Sequence, residues 1–242
     1  FVIAGKIDKE RKAKIIDRLE KLPLERGERF ELLTDNLENP EKPIFIHRPD
    51  LKNISFGISI VLPRQLSTTE MDAMHSFNDI LTGTMHSGIF GKARKRGLTY
   101  GVYSGASRSL NNSSWDFEGQ TNFETAKPLF ELIVFELKRI LNEELTEEEL
   151  DAMKSYALGS FQMGGQTVGS TAGFYAGRYF WDGNIRNHEK QPEFIKQISR
   201  QKIFDLAREF VENGKWVVGA VSGGEESQIV ELSEKFANLF ED

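Results

Sequence analysis

The chain contains no cysteine. That removes disulfide frameworks, thiolate zinc sites and cysteine nucleophiles, while leaving the redox compartment open. Its four histidines, His47, His75, His86 and His188, show no i,i+4 spacing and no helical carboxylate neighbour that would complete a metal triad. Neither a G-x-S-x-G nucleophile elbow nor a phosphate-binding glycine pattern is present. No run approaches the roughly 20 apolar residues of a spanning helix, so no membrane span is expected, and a soluble, cytoplasmic setting is favoured over others. Cations are too few for a nucleic-acid partner: 31 Lys and Arg against 37 Asp and Glu leave a net charge of -6, whereas phosphate binding needs a basic surface. The 242 residues fit one large domain, or one domain plus a fragment.

What is present begins with an apolar run, Phe1 to Gly5, without an initiator methionine, which reads as a short buried strand at the start of a fragment. Asp8 then caps a helix with Ile15, Ile16 and Leu19 on one face. The order strand, small residues, helix returns at Trp216 to Phe240, with Ile229, Leu232, Phe236 and Leu239 on the buried side. This echo divides the chain into residues 1–22, the closing strand and helix of a preceding homologous domain; 23–43, a charged, proline-flanked linker; and 44–242, a second domain. Strand-helix endings are also common in α/β folds, so the echo alone leaves both readings open.

Within the second domain, Ile54, Phe56, Ile58, Ile60 and Leu62 alternate with small or polar residues, the pattern of a half-buried strand that Pro63 ends. Ser67 to Glu70 and Thr146 to Glu149 are capping boxes that open helices, the first running through Met71, Met74, Phe77 and Leu81. Leu98 to Ser104 and Trp115 to Gly119 read as adjacent strands about a polar turn, and Ala126 to Leu141 as an amphipathic helix. Adjacent strands followed by consecutive helices point to α+β architecture rather than a doubly wound parallel sheet. Gly165, Gly169, Gly173 and Gly177 recur every four residues, which implies close packing, a break, or a compliant segment between domains.

Chemistry concentrates in Leu81 to Ser104. Gly83, Gly88 and Gly91 permit tight turns and close backbone approach, and Lys92, Arg94, Lys95 and Arg96 put four cations in five positions before Gly97 stops the turn. The run is either a solvated helical face or a dock for an anionic or peptide-like partner.

This segment resembles the pitrilysin/insulinase zinc metallopeptidases, the family of the mitochondrial processing peptidases and the core proteins of respiratory complex III. Gly83 to Phe90 stands where that family has a glycine-rich loop, and Lys95-Arg96-Gly97-Leu98-Thr99-Tyr100-Gly101-Val102 matches the following K-R-G-L-A-Y-S-V. Glu144 to Leu150 is similar to its E-L-T-x-E-E-L helix start.

The resemblance implies a metallopeptidase (LuxS/processing-peptidase-like) domain, α+β, with a mainly antiparallel sheet and helices packed on one face. It implies the C-terminal half of such a protein, which closes over a peptide while an N-terminal domain carries zinc in an H-x-x-E-H motif. No catalytic residue, metal ligand or cofactor is then expected in this chain. The expected partners are the N-terminal domain of the same protein, a peptide substrate, and a homo- or hetero-dimer with a zinc-bearing subunit. Active members place an arginine and a tyrosine seven residues apart near the peptide. Tyr100 falls on that tyrosine and Ala93 on the arginine, so Tyr100, Arg94, Lys92 and His86 are the substrate-binding candidates, and an inactive structural or partner subunit is the alternative.

Overall fold

The five apolar residues that alternate from Ile54 to Leu62 all turn inward, while Ser55, Gly57, Ser59 and Val61 face the other way. The structure, a computed structural model, describes residues 1–25, 27, 37–183, 185 and 187–241. Helix α1 (Lys9–Glu20) precedes strands β1 (Ile44–His47) and β2 (Asn53–Leu62). Helix α2 (Thr68–Asn78), a π-turn (Asp79–Gly83) and the short α3 (Phe90–Lys95) lead to the hairpin of β3 (Gly101–Arg108) and β4 (Ser113–Asn122). Helices α4 (Phe123–Leu141), α5 (Glu147–Gly164), α6 (Val168–Asp182), α7 (Gln191–Gln197) and α8 (Arg200–Asn213) come next, then β5 (Lys215–Ser222) and α9 (Glu226–Ala237).

The strands form one sheet in the order β1-β5-β2-β4-β3, antiparallel except for the β1–β5 pair. This is the expected α+β fold. Its core lies between one face of the sheet and the helices, where Trp115 of β4 contacts Phe77 of α2 (ring centroids 5.6 Å), Phe117 (5.1 Å) and Phe210 of α8 (5.8 Å). Each such pair adds about 0.5–1.5 kcal/mol beyond area burial. The buried indole N–H of Trp115 donates to Asn78 Oδ1 at 3.0 Å, so the aromatic core leaves no donor orphaned at its centre.

Several expectations shift. Phe1 to Gly5 forms no strand: it pairs with neither sheet edge among the described residues, and Phe1 is 88% exposed. A strand needs a ladder partner as well as apolar residues. Asp8 does cap α1 through its bond from the Arg11 N–H, at 2.8 Å. The third strand begins at Gly101 rather than Leu98, because Gly97 takes φ 67° and the Thr99 side chain bonds the Gly101 and Gln120 backbone in place of a ladder. The chain breaks between α5 and α6 just after Gly164, yet Gly173 and Gly177 do not pack closely: a Cβ on either would meet nothing within 4 Å. Helix α6 is held instead by Arg178–Asp72 at 2.5 Å and Arg108–Asp182 at 3.5 Å. Within the 23–43 segment read as a linker, residues 26 and 28–36 lie outside the described residues.

Glu70 ties the capping box of α2 to its surroundings. It accepts from the Ser67 N–H at 2.9 Å and pairs with Arg64 (3.1 Å) and with Lys202 of α8 (3.0 Å). Burial alone would raise its carboxyl, but Arg64, the Ser67 backbone and Lys202 outweigh burial and hold it at about 2 against an ordinary 4.5. A depressed carboxyl contributes stability that is complete above its unfolded value and is lost as pH falls toward the folded one. Thermal melts at pH 6 and pH 3 are therefore expected to show a drop in wild type that Glu70→Gln reduces; an identical drop in the variant would refute the assignment.

Candidate functional site

The loop from Thr84 to Ile89 folds back on the π-turn. Ser87 Oγ donates to the Asp79 carbonyl (3.0 Å), and the Gly88 and Ile89 N–H groups donate to the Ile80 and Leu81 carbonyls at 2.9 and 2.8 Å. Two glycines make this closure possible. A Cβ on Gly91 would collide with the Met85 carbonyl, and one on Gly88 would stand 2.6 Å from Glu136 Oε2.

That carboxylate decides where α3 lies. Glu136 of α4 is 0% exposed, and Lys92 Nζ reaches it at 2.5 Å while Arg139 Nε lies 3.2 Å away. The Lys92 ammonium is thus committed to a buried acid. Ala93 is also fully buried, so a side chain at 93 points into the core rather than toward solvent. Arg94 is the residue that meets Tyr100: its guanidinium sits 5.0 Å from the ring centroid, and Nη1 reaches the Thr99 carbonyl at 3.4 Å. Tyr100 is 85% exposed. Lys95 and Arg96 are exposed and make no ion pair among the described residues.

Tyr100 stands on the rim of an open trough of about 940 Å3 on the sheet face that carries no helix core. The register defines its floor. One row runs Ile44, Gly219, Gly57, Glu118, Tyr103 across all five strands, and the next runs Ile46, Val221, Ser55, Gln120, Gly101. Gly57 and Gly101 have no atom within 4 Å of where a Cβ would be, and Gly219 has none nearer than 3.9 Å, so the middle of the floor is bare backbone. Tyr103, 68% exposed, and Phe90 add aromatic walls. Among the lining residues Glu118 is the sole charge. At Ser104 the outer edge of β3 is satisfied, its N–H donating to Thr82 Oγ1 at 2.9 Å.

His86 is elsewhere. It lines a separate cavity of about 360 Å3 with Asp79, Lys92, Glu149 and Tyr156. The structure therefore joins Arg94 to Tyr100, keeps Lys92 on Glu136, and sets His86, a residue of the loop, on the wall of the separate cavity. Glu136 and the glycine row were missed in the sequence; an alternating strand with glycine on its polar side was the available signal for the row. Among the described residues no group of three or more His, Asp or Glu side chains could hold a metal ion.

A family model described as "Peptidase M16 inactive domain" matches residues 1–156. The chain belongs to that family. Membership implies that a catalytic zinc is not housed in this M16 inactive domain. No curated protein matches the chain. Solved structures share its fold: a peptidase M16 inactive domain from Pseudomonas fluorescens (20% identity, TM-score 0.71, 90% of this chain and 52% of that one) and a protease from Helicobacter pylori (14%, 0.71, 90% and 54%). A chain of complex III2 from Candida albicans is also similar (12%, 0.78, 97% and 57%). The M16 inactive domain spans about half the length of these structures. None of its described helices is long and apolar enough to cross a membrane.

Three of the four cations can be separated by stability. Lys92→Met strips one partner from a buried carboxylate and is expected to cost on the order of 2 kcal/mol in denaturant unfolding. Lys95→Met and Arg96→Met should each change it by less than about 0.5 kcal/mol. Equal effects at all three positions would contradict the assigned role of Glu136.

Proposed function

We propose that the open trough receives an extended peptide and that Arg94 and Tyr100 bind it, on the non-catalytic side of a zinc-dependent metalloendopeptidase-like protein. The observation that carries this reading is the uncovered sheet face. Its glycine floor leaves main chain accessible, and its rim holds an exposed tyrosine beside a guanidinium, two donors suited to a peptide carbonyl. Zinc and the chemical step would come from an N-terminal domain of the same protein, or from a zinc-bearing subunit in a homo- or hetero-dimer. The span of about half the matched structures supports such a missing half.

On this reading residues 1–22 are the closing segment of the preceding domain and 23–43 the linker, with 44–242 as the peptide-binding domain. The exposure of Phe1, Val2, Ile3 and Ile16 supports a partner surface there. Arg94 takes the place that the family pattern gives to residue 93, because the helix turns Ala93 inward.

A second reading, an inactive structural or partner subunit, draws on the likeness to a chain of complex III2. Peptide cleavage and zinc content, measured on the full-length protein alone and with co-encoded partners, separate the two. The first reading expects zinc-dependent cleavage, lowered about 10²-fold in kcat/KM by Arg94→Ala with Tyr100→Phe at unchanged melting temperature. Cleavage indifferent to both substitutions would rule out the assigned roles, and absence of both zinc and cleavage would establish the inactive subunit.

A further inference from the structure

The cavity behind the loop lies on the far side of α3 from the trough, and the peptide role makes no use of it. Its walls come from the π-turn (Asp79, Ile80), the loop (Thr84, His86, Ser87, Gly88), α3 (Lys92) and α5 (Glu149, Met153, Tyr156). At about 360 Å3 it is at the small end of ligand sites. The charges around it are settled in pairs with one exception. Lys92 is held by Glu136, and Glu149 is held by Arg139 at 2.7 Å and by the Thr146 N–H at 2.9 Å.

Asp79 has no cation and no hydrogen-bond donor to its carboxylate among the described residues, although it is partly buried. Its Oδ1 lies 3.0 Å from where a Cβ on Gly83 would stand, so glycine there keeps the approach to the oxygen clear. The apolar Ile80 and Met153 and the side chain of Tyr156 line the same cavity.

We propose that this cavity is a binding site for a small organic monocation, a primary amine on an apolar or aromatic body, with the ammonium on Asp79 and the body against Ile80, Met153 and Tyr156. The pairing follows from charge: an anion would meet an uncompensated carboxylate, whereas an ammonium supplies the partner it lacks. Tyr156 adds an aromatic ring to the cavity wall, the kind of group an ammonium-bearing body packs against. Because Gly88 and Lys92 form part of the wall, an occupied cavity would brace the loop and α3, the helix that carries Arg94.

Burial raises the Asp79 carboxyl to about 6. A site that needs its anion therefore weakens as pH falls through that value. The other titratable groups facing it are His86 of the loop, Lys92 of α3, and Glu149 and Tyr156 of α5, with Glu136 of α4 behind Lys92.

Benzylamine and its neutral analogue benzyl alcohol are suitable probes, titrated calorimetrically into the full-length protein. Benzylamine is expected to bind at pH 7.5 with Kd on the order of 1 mM or tighter, and the alcohol at least about tenfold more weakly. Lowering the pH to 5 should weaken the amine about tenfold, and Asp79→Asn should reduce amine binding to the level of the alcohol and abolish that pH dependence. Ala152→Trp, a substitution at an exposed position on the wall, should exclude both probes without touching the carboxylate. Equal binding of amine and alcohol, an amine affinity or pH dependence that survives Asp79→Asn, or full binding to Ala152→Trp would each overturn the proposal.

Discussion

Glu136 is a carboxylate with no access to solvent, and the arrangement of the candidate site follows from how it is neutralised. An unpaired charge at that depth would cost several kcal/mol, so two cations must come to it. Arg139 arrives from the same helix and carries Glu149 with it, which fastens the start of α5. Lys92 arrives from α3, which pulls that short helix down until residue 88 can be nothing larger than glycine. Once α3 is set in this way its phase is fixed. Ala93 faces the core and Arg94 faces Tyr100. A helix of six residues has little stability of its own, so the buried ion pair and the loop closure beneath it, rather than propensity, hold the guanidinium in place.

The sequence was most legible where a local rule and the tertiary environment agree. The capping boxes at Ser67 and Thr146, the alternation of β2, and the apolar faces of α4 and α9 all lie where pattern predicts, because each element contacts the core through the residues that define its period. Legibility failed where long-range partners decide. Strand β1 is four residues long and parallel to β5, and nothing in Ile44 to His47 announces a partner 175 residues later at Gly219. The π-turn continues the apolar period of α2 through Leu81, so its change of pitch is silent. Glu136 looks like any acidic residue on an amphipathic helix. Its burial is created by Lys92 and Arg139, one of which lies 44 positions away.

The family pattern directs attention to Tyr100 and Ala93, and the structure shows the first exposed and the second buried. Counting seven residues back lands on Ala93, and a missing arginine reads as a missing function. In three dimensions the count matters less than the direction of the side chain, and the adjacent Arg94 occupies the space beside the ring. The basic run likewise divides by geometry rather than composition: Lys92 is structural, Arg94 sits beside the Tyr100 ring, and Lys95 and Arg96 are solvated.

The two unpartnered surfaces differ in kind. On the open sheet face, polar groups satisfy one another: Ser59 and Ser114 donate to Asp116 at 2.6 and 2.5 Å, Ser107 and Ser114 hydroxyls lie 2.9 Å apart, and Gln120 donates to Ser55 at 3.3 Å. An antiparallel sheet with such a face is stable in water and needs no cover in order to fold. It can therefore remain free for an occupant that comes and goes. At the start of the chain, ahead of the Asp8 cap and the Lys14–Glu10 pair of α1, Phe1, Val2 and Ile3 present successive apolar side chains to solvent. The same chain thus pairs an open sheet face whose polar groups are internally satisfied with a terminal segment whose first three side chains are apolar and exposed.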